Sequence, residues 1–97
     1  MFPIISGLAI IDLTEAADWY DDRSYGRGLD FLDHVDRTLE FIKINPLQYQ
    51  RIGRSLRKAK IDGYPYSIYY YILKDRITVI GCLHNARDIN SILEERT

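Results

Sequence analysis

The chain has 97 residues, of which 46% are hydrophobic and 28% are charged, a composition typical of one globular domain. Thirteen lysines and arginines against fourteen acids give a net charge of −1, which disfavours a protein that coats nucleic acid, since such proteins are usually strongly basic. One cysteine excludes an internal disulfide, and together with two histidines it is too few for a four-ligand zinc site. We therefore expect a single domain, residues 1–97, with no metal and no cofactor.

The amino-terminal segment is the longest uncharged apolar stretch of the chain. It runs from Met1 to Ile11, which is short of the roughly 20 residues that span a bilayer. No basic segment precedes it, and the single thiol is typical of a reducing compartment. The sequence thus predicts a cytoplasmic protein with no membrane partner.

The first elements are predicted to be a strand and a helix. Uncharged, β-branched residues from Ile4 to Ile11 indicate the strand. Thr14 is a candidate helix cap, because acids follow it in what would be the first turn. Trp19 and Tyr20 are expected to anchor this helix in the core.

A second, longer helix has the strongest pattern in the chain. Gly26 and Gly28 are expected to end the first helix. Apolar residues then recur at helical spacing: Leu29, Phe31, Leu32, Val35, Leu39 and Ile42. Asn45-Pro46 ends this helix, because proline cannot donate to the helical ladder and restricts the residue before it. The two helices are predicted to form an αα-hairpin.

After Gly53 the apolar period changes from 3.6 to 2, which is typical of strands. Three strands are predicted, at Leu56 to Ile61, Tyr64 to Leu73 and Arg76 to His84. Asp62-Gly63 is a turn signal between the first two. Asp88 is a candidate cap for a last short helix through Arg96. The element order is therefore β-α-α-β-β-β-α, an α+β fold with the helical hairpin on one face of a small antiparallel sheet.

Alternation in the last two strands predicts which residues share a face. In the tyrosine-rich strand, one face carries Tyr66, Ile68, Tyr70 and Ile72, and the other carries Tyr69 and Tyr71. One face is expected to meet the helices, and the other to be a half-apolar patch open to a partner. In the strand that follows, Ile77, Val79, Gly81 and Leu83 are predicted on one side, opposite Thr78, Ile80 and Cys82.

Charge is segregated along the chain. Nine acids and three bases lie between Asp12 and Glu40, whereas Phe41 to Ile61 holds six bases and no acid. One interpretation is an anion-facing strand that docks an acidic protein or a phosphate backbone. The other is that lysine and arginine protect a sheet edge from aggregation. The sequence leaves both open.

Short motifs occur in a suggestive order: Ala17-Asp18-Trp19-Tyr20, Leu29-x-Phe31-Leu32, Asn45-Pro46, Tyr64-Pro65-Tyr66-Ser67-Ile68-Tyr69-Tyr70, Ile77-x-Val79-Ile80 and His84-x-x-Arg87-Asp88. With them, the stretch from Ala16 to Arg96 resembles the ParE/RelE superfamily of bacterial type II toxins. The resemblance implies a toxin held inactive in a hetero-oligomer by a protein antitoxin. Such antitoxins bind with a flexible segment, through strand addition and helix-in-groove contacts.

The superfamily has two branches with different targets. Proteins resembling ParE act on DNA gyrase, and proteins resembling RelE cut mRNA on the ribosome. Ribonuclease chemistry needs an acid/base pair and cations at the phosphate, and its candidates are Arg57, Lys60, His84 and Arg87. The carboxy-terminal bases and catalytic tyrosine of the RelE branch are missing here, which favours gyrase inhibition by binding over the ribonuclease alternative. A decayed module that only binds antitoxin is a third possibility.

The residues predicted to contact a partner are cations and strand tyrosines: Arg54, Arg57, Lys58, Lys60, Tyr69, Tyr71 and Arg87. Two further residues have competing interpretations. His84 is either a proton shuttle or a strand-end histidine bonded to the neighbouring backbone or to Asp88. Cys82 is expected to be a buried apolar thiol rather than a nucleophile.

Overall fold

Five strands form one sheet, in the order β1-β5-β4-β3-β2, in the computed structural model, which describes residues 3–96. The elements are β1 (Pro3–Ile5), α1 (Gly7–Arg23), α2 (Arg27–Ile44), β2 (Gln50–Ile52), β3 (Leu56–Lys60), β4 (Tyr66–Leu73), β5 (Arg76–His84) and α3 (Asn90–Arg96). The α+β class and the order β-α-α-β-β-β-α are confirmed. The short strand β2 is an addition to that order, and β1 makes the sheet mixed because it runs parallel to β5.

The first strand is much shorter than predicted, and the first helix begins earlier. Helix α1 begins at Gly7, and the Ser6 hydroxyl caps it by accepting a hydrogen bond from the Ala9 amide at 3.2 Å. Thr14 lies inside the helix, where its hydroxyl donates to the Ile10 carbonyl at 2.9 Å. A good cap and the burial of alanines on the inner face outweigh the strand propensity of the isoleucines.

Gly28 does not end a helix but allows two helices to approach closely. It is buried within α2, and a Cβ at this position would lie 2.6 Å from the Ala17 carbonyl oxygen of α1. Its amide donates to the Asp21 carboxylate at 2.8 Å, which ties the start of α2 to α1. Gly26 does fall at the predicted break, with a left-handed φ of 83° just before α2.

The buried stripe of α2 is rotated relative to the prediction. Phe31, Val35 and Ile42 are buried as expected, but Leu29 is exposed. Phe31 is fixed by an aromatic cluster, with ring centroids 5.5 Å from Tyr20 and 5.1 Å from Tyr64. Of the two residues predicted to anchor α1 in the core, Tyr20 does so and Trp19 does not. Trp19 is a surface residue, on which the Arg23 guanidinium stacks at 3.6 Å.

A β-bulge in β5 overturns the predicted faces of that strand. Tyr69 is opposite Gly81 but Tyr70 is opposite Val79, so that Ile80 is an extra residue. An extra residue reverses the alternation beyond it. The face toward the α1/α2 hairpin, hereafter the hairpin face, carries Ile77, Val79 and Cys82 of β5. The opposite face, hereafter the α3 face, carries Ile80 and Leu83.

The α3 face is not the open patch that the sequence predicts. Leu93 of α3 packs against Tyr69, Ile80 and Leu83, and this cluster leaves Tyr69 only 1% exposed. The Asp88 carboxylate accepts the Asn90 amide at 3.2 Å, as expected for a residue that caps this helix. Among residues 3–96, no helix is long and apolar enough to cross a membrane.

Tyr64 connects the predicted turn at Asp62-Gly63 to α2. Its buried hydroxyl donates to the Asp30 carboxylate at 2.5 Å and accepts from Arg27 Nε at 3.1 Å. The hydrogen bond from Tyr64 lowers the pKa of Asp30, and burial, followed by the Asp30 contact, raises the pKa of Tyr64. A lowered carboxylate pKa stabilises the folded state above the ordinary pKa, and this contribution is lost as the pH falls through the lowered value.

Replacing Tyr64 by phenylalanine is therefore expected to lower the free energy of unfolding at pH 7 by about 1 kcal/mol, since it removes the hydroxyl and its hydrogen bonds. The difference from the original chain should shrink as the pH falls through the lowered pKa of Asp30, because below that value the carboxyl is protonated in both proteins. Urea unfolding at pH 7 and at acid pH measures both effects. Tyr25→Phe is the control, because Tyr25 is exposed. An equal difference at both pH values would contradict the role of Asp30.

Candidate interaction surfaces

The predicted basic strand does not present its cations on one surface. In β3, Ala59 belongs to the core of the hairpin face and Leu56 to that of the α3 face. Strand alternation therefore places Arg57 on the hairpin face, and Lys58 and Lys60 on the α3 face. The six bases of the acid-free segment thus fall into separate groups rather than forming a single platform.

Three arginines of β2, β3 and the turn between them lie near one another. Arg51 lies directly opposite Arg57 in the ladder, and Arg54 lies in the turn between the two strands. Hereafter the arginine cluster means Arg51, Arg54 and Arg57. The three residues line a cavity of about 360 Å³ together with Leu47, Ser55 and Ile72.

Two guanidinium groups of the arginine cluster, those of Arg51 and Arg57, donate to carbonyl oxygens rather than to carboxylates. Arg57 Nη1 donates to the carbonyls of Leu47 at 3.2 Å and Tyr49 at 2.8 Å, which fixes the loop after α2 to β3. Arg51 donates to the Arg54 carbonyl. Within residues 3–96, no carboxylate lies within salt-bridge distance of any of the three. Their positive charge is left for solvent or for a partner.

The other predicted contacts, on the α3 face, differ in their exposure. Lys60 is exposed and Lys58 is half-buried. Tyr69, opposite Lys58 in the ladder, is buried under α3, and Tyr71 is half-buried against the same cluster. Because α3 covers it, Tyr69 offers no surface to a partner while this helix is packed.

His84 and Arg87 come together at a cleft between α1 and β5. They line a cavity of about 190 Å³ with residues that include Glu15 and Trp19. His84 Nδ1 accepts the Ala86 amide at 3.0 Å, which fits the predicted strand-end histidine bonded to the backbone. Arg87 is exposed at the mouth of this cleft.

The four nuclease candidates therefore lie in three places. Arg57 is on the hairpin face of β3 and Lys60 is on the α3 face. His84 ends β5, and Arg87 lies just after it in the same cavity. Strand β4 separates β3 from β5, a distance of roughly 10 Å across two strand spacings. The structure does not bring these groups around one point where a phosphate could react.

An ion pair that the sequence does not suggest closes the edge of β5. Arg96 holds both oxygens of Asp12, at 2.6 and 3.1 Å, and donates to the Ile80 carbonyl at 3.0 Å. The same carboxylate accepts the Cys82 amide at 3.0 Å. A Cβ at Gly81 would lie 2.9 Å from the Arg96 guanidinium, so the glycine leaves room for the pair. The pair connects α1, β5 and α3.

Cys82 is a buried structural thiol, as predicted. Burial raises its pKa to about 12, so it stays protonated near neutral pH. Among residues 3–96, no three histidine, cysteine, aspartate or glutamate side chains are grouped so that they could hold a metal ion.

Comparisons with known proteins identify the family. Residues 4–89 match the family model of the ParE toxin of the type II toxin–antitoxin system parDE. Among solved structures, a chain from a chromosomal ParDE toxin–antitoxin system of P. aeruginosa has the same fold, with a TM-score of 0.76 and 13% sequence identity over 87% of this chain and 95% of that one. A comparison with curated protein sequences gives no match. With its family model matched over most of its length, the chain belongs to the ParE family of type II toxins.

Proposed function

We propose that the chain is a toxin that a protein antitoxin neutralises, and that it acts in the cytoplasm by binding and inhibiting DNA gyrase. Membership of the ParE family over residues 4–89 is the observation that carries this proposal. The solved chain with the same fold comes from a ParDE toxin–antitoxin system, which supports a hetero-oligomer of toxin and antitoxin here.

Inhibition by binding fits the geometry better than catalysis does. A general acid or base must lie within hydrogen-bond reach of the proton that it transfers, about 2.6–3.2 Å. His84 is on the opposite side of β4 from Arg57, and Lys60 points to the other face of the sheet. A protein that inhibits gyrase by binding needs only a complementary surface, so the separation of these residues does not argue against it.

Unpaired charge on the toxin favours a protein antitoxin as its neutralising partner. The arginine cluster has no carboxylate partner within residues 3–96. Apolar side chains are exposed nearby along the chain, at the end of α2 and in the loop after it. Exposed apolar groups beside unpaired cations are typical of a surface that a partner covers.

The test compares two activities of one preparation of the full chain. Gyrase is given relaxed plasmid and ATP with and without the purified toxin, and a reconstituted translation reaction receives the same toxin. We expect supercoiling to be lost while the mRNA in the translation reaction stays intact. Toxin purified in complex with its antitoxin is the control and should leave supercoiling unchanged. Intact supercoiling together with ribosome-dependent mRNA cleavage would refute gyrase inhibition and establish the RelE-like alternative.

A further inference from the structure

We propose that the arginine cluster binds a small polyphosphate anion, a diphosphate or triphosphate group, in the cavity that the cluster lines. Inorganic pyrophosphate and the phosphate chain of a nucleotide share this chemistry. The site is proposed for the chain that is free of antitoxin, and its test does not depend on the cellular target of the toxin.

Positive charges converge at this site without a negative counterpart. Arg51 and Arg57 are directly opposite each other in the ladder of β2 and β3. The Cβ atoms of such a pair lie about 5 Å apart, and like charges placed there repel each other. Arg54, in the turn, adds a third charge to the wall of the same cavity. Within residues 3–96, none of the three has a carboxylate within salt-bridge distance, so a bound anion would relieve the repulsion.

Several guanidinium donors of the cluster remain available to a ligand. Arg57 contacts the Leu47 and Tyr49 carbonyls through Nη1 alone, and Arg51 contacts the Arg54 carbonyl through Nη2. The other terminal nitrogen and the Nε of each guanidinium have no hydrogen-bond partner in the described part of the chain. The contacts with the backbone also hold both guanidiniums in place, so less side-chain entropy is lost when an anion binds.

The charge of the arginine cluster favours an anion that carries several negative charges. A carboxylate carries one, and a terminal phosphate group carries about 1.5 to 2 near neutral pH. Two linked phosphates therefore balance three guanidiniums more nearly than one phosphate does. A planar guanidinium binds two oxygens of a phosphate at once, and the Ser55 hydroxyl in the cavity wall is a further donor.

The arrangement of the charges favours a small anion over a nucleic acid. The three arginines line one cavity of about 360 Å³, a volume within the range of small-ligand pockets. A nucleic acid requires cations spread along its backbone. Lys58 and Lys60 do not extend the cluster in this way, because they lie on the α3 face of β3. The net charge of −1 also opposes the binding of a long polyanion.

The site is tested with the double variant Arg51→Gln/Arg54→Gln, and Arg37→Gln/Arg76→Gln is the matched control. Each variant removes two exposed arginines, and those of the control lie outside the cavity. Arg57 is kept in both, because its hydrogen bonds hold the loop after α2. Urea unfolding without ligand shows whether each variant is folded. Arg54→Gln alone is the second test variant, since no hydrogen bond of its side chain occurs within residues 3–96.

Calorimetry with inorganic pyrophosphate at constant ionic strength measures binding to the original full chain and to the variants. We expect one site per chain, and pyrophosphate should bind more tightly than orthophosphate. The variant without Arg51 and Arg54 should bind pyrophosphate about 100-fold more weakly, because it loses two charge-assisted contacts. The control should stay within about threefold of the original chain, as is usual for exposed charges outside a site. Equal losses in the two double variants, or no binding by the original chain, would overturn the proposal.

Two further ligands identify the source of the anion. Leu47 and Ile72 give the cavity an apolar part of its wall, which a nucleoside could contact. Tighter binding of ADP than of pyrophosphate would support the site with a nucleotide as its ligand, and equal binding would support it with the phosphate groups alone. A single-stranded oligonucleotide that binds more tightly than either and displaces pyrophosphate would overturn the small anion and establish a nucleic-acid surface.

Discussion

Replacing Asp12 by asparagine is expected to lower the free energy of unfolding by about 3 kcal/mol, because it leaves the Arg96 guanidinium in a poorly hydrated site without a counter-charge. The side chains of Asp12 and Arg96 are only 9% and 14% exposed, respectively. The asparagine can still accept the Cys82 amide, so the loss reports mainly the missing charge. Urea unfolding at neutral pH measures it.

A double variant distinguishes the loss of the whole ion pair from the loss of one partner. Asp12→Leu/Arg96→Met removes both charges together, so it should cost clearly less than the sum of the two single replacements. A loss below about 0.5 kcal/mol for Asp12→Asn, which is typical of a surface change, would contradict the role assigned to this ion pair.

Gly28→Ala is expected to destabilise the chain by about 2–3 kcal/mol, because the added methyl group overlaps a neighbouring backbone and α1 must move away from α2. The nearest atom is the Ala17 carbonyl oxygen, 2.6 Å from the position that the added Cβ would take, and a backbone atom cannot rotate out of the way. Thermal or urea unfolding measures the change.

Gly7→Ala is the matched control for Gly28→Ala. Gly7 is also helical, but apart from its chain neighbours and the backbone of its own helical turn no atom lies within 4 Å of a Cβ built there. Alanine at this position should be neutral or stabilising by up to about 1 kcal/mol, through its helix propensity and the smaller entropy of the unfolded chain. If both glycine replacements have the same effect, close helix packing at Gly28 is not the cause.

The parts of the fold that sequence predicts well are those with long, regular patterns. The end of α2 at Asn45-Pro46 and the strands β3 to β5 follow from periodicity and turn residues, and the structure confirms them. The prediction of a long amino-terminal strand is wrong. It rests on the strand propensity of Ile10 and Ile11, which the Ser6 cap and the packing of α1 on the core outweigh. The bulge at Ile80 has no local signal apart from the neighbouring Gly81.

The sequence predicts that the segment from Phe41 to Ile61 has an excess of positive charge, but it does not predict where all the interacting side chains lie in the fold. Strand alternation alone places Arg57 on one face of the sheet and Lys58 and Lys60 on the other, so this separation can be predicted from the sequence. The pair of Asp12 with Arg96 cannot, because the partners are 84 residues apart and meet only when α1 and α3 both pack on β5. The burial of Tyr69 likewise depends on where α3 packs, which its seven residues do not determine.

The most direct test of action by binding is the amount of toxin that inhibition requires. Gyrase at a fixed concentration is titrated with the purified full chain, and supercoiling is followed together with the integrity of an mRNA on translating ribosomes. An inhibitor that works by binding should abolish supercoiling only as its concentration approaches that of gyrase, and added antitoxin should reverse the loss. Supercoiling that survives an excess of toxin, with mRNA cut at trace amounts, would contradict binding and show a catalyst.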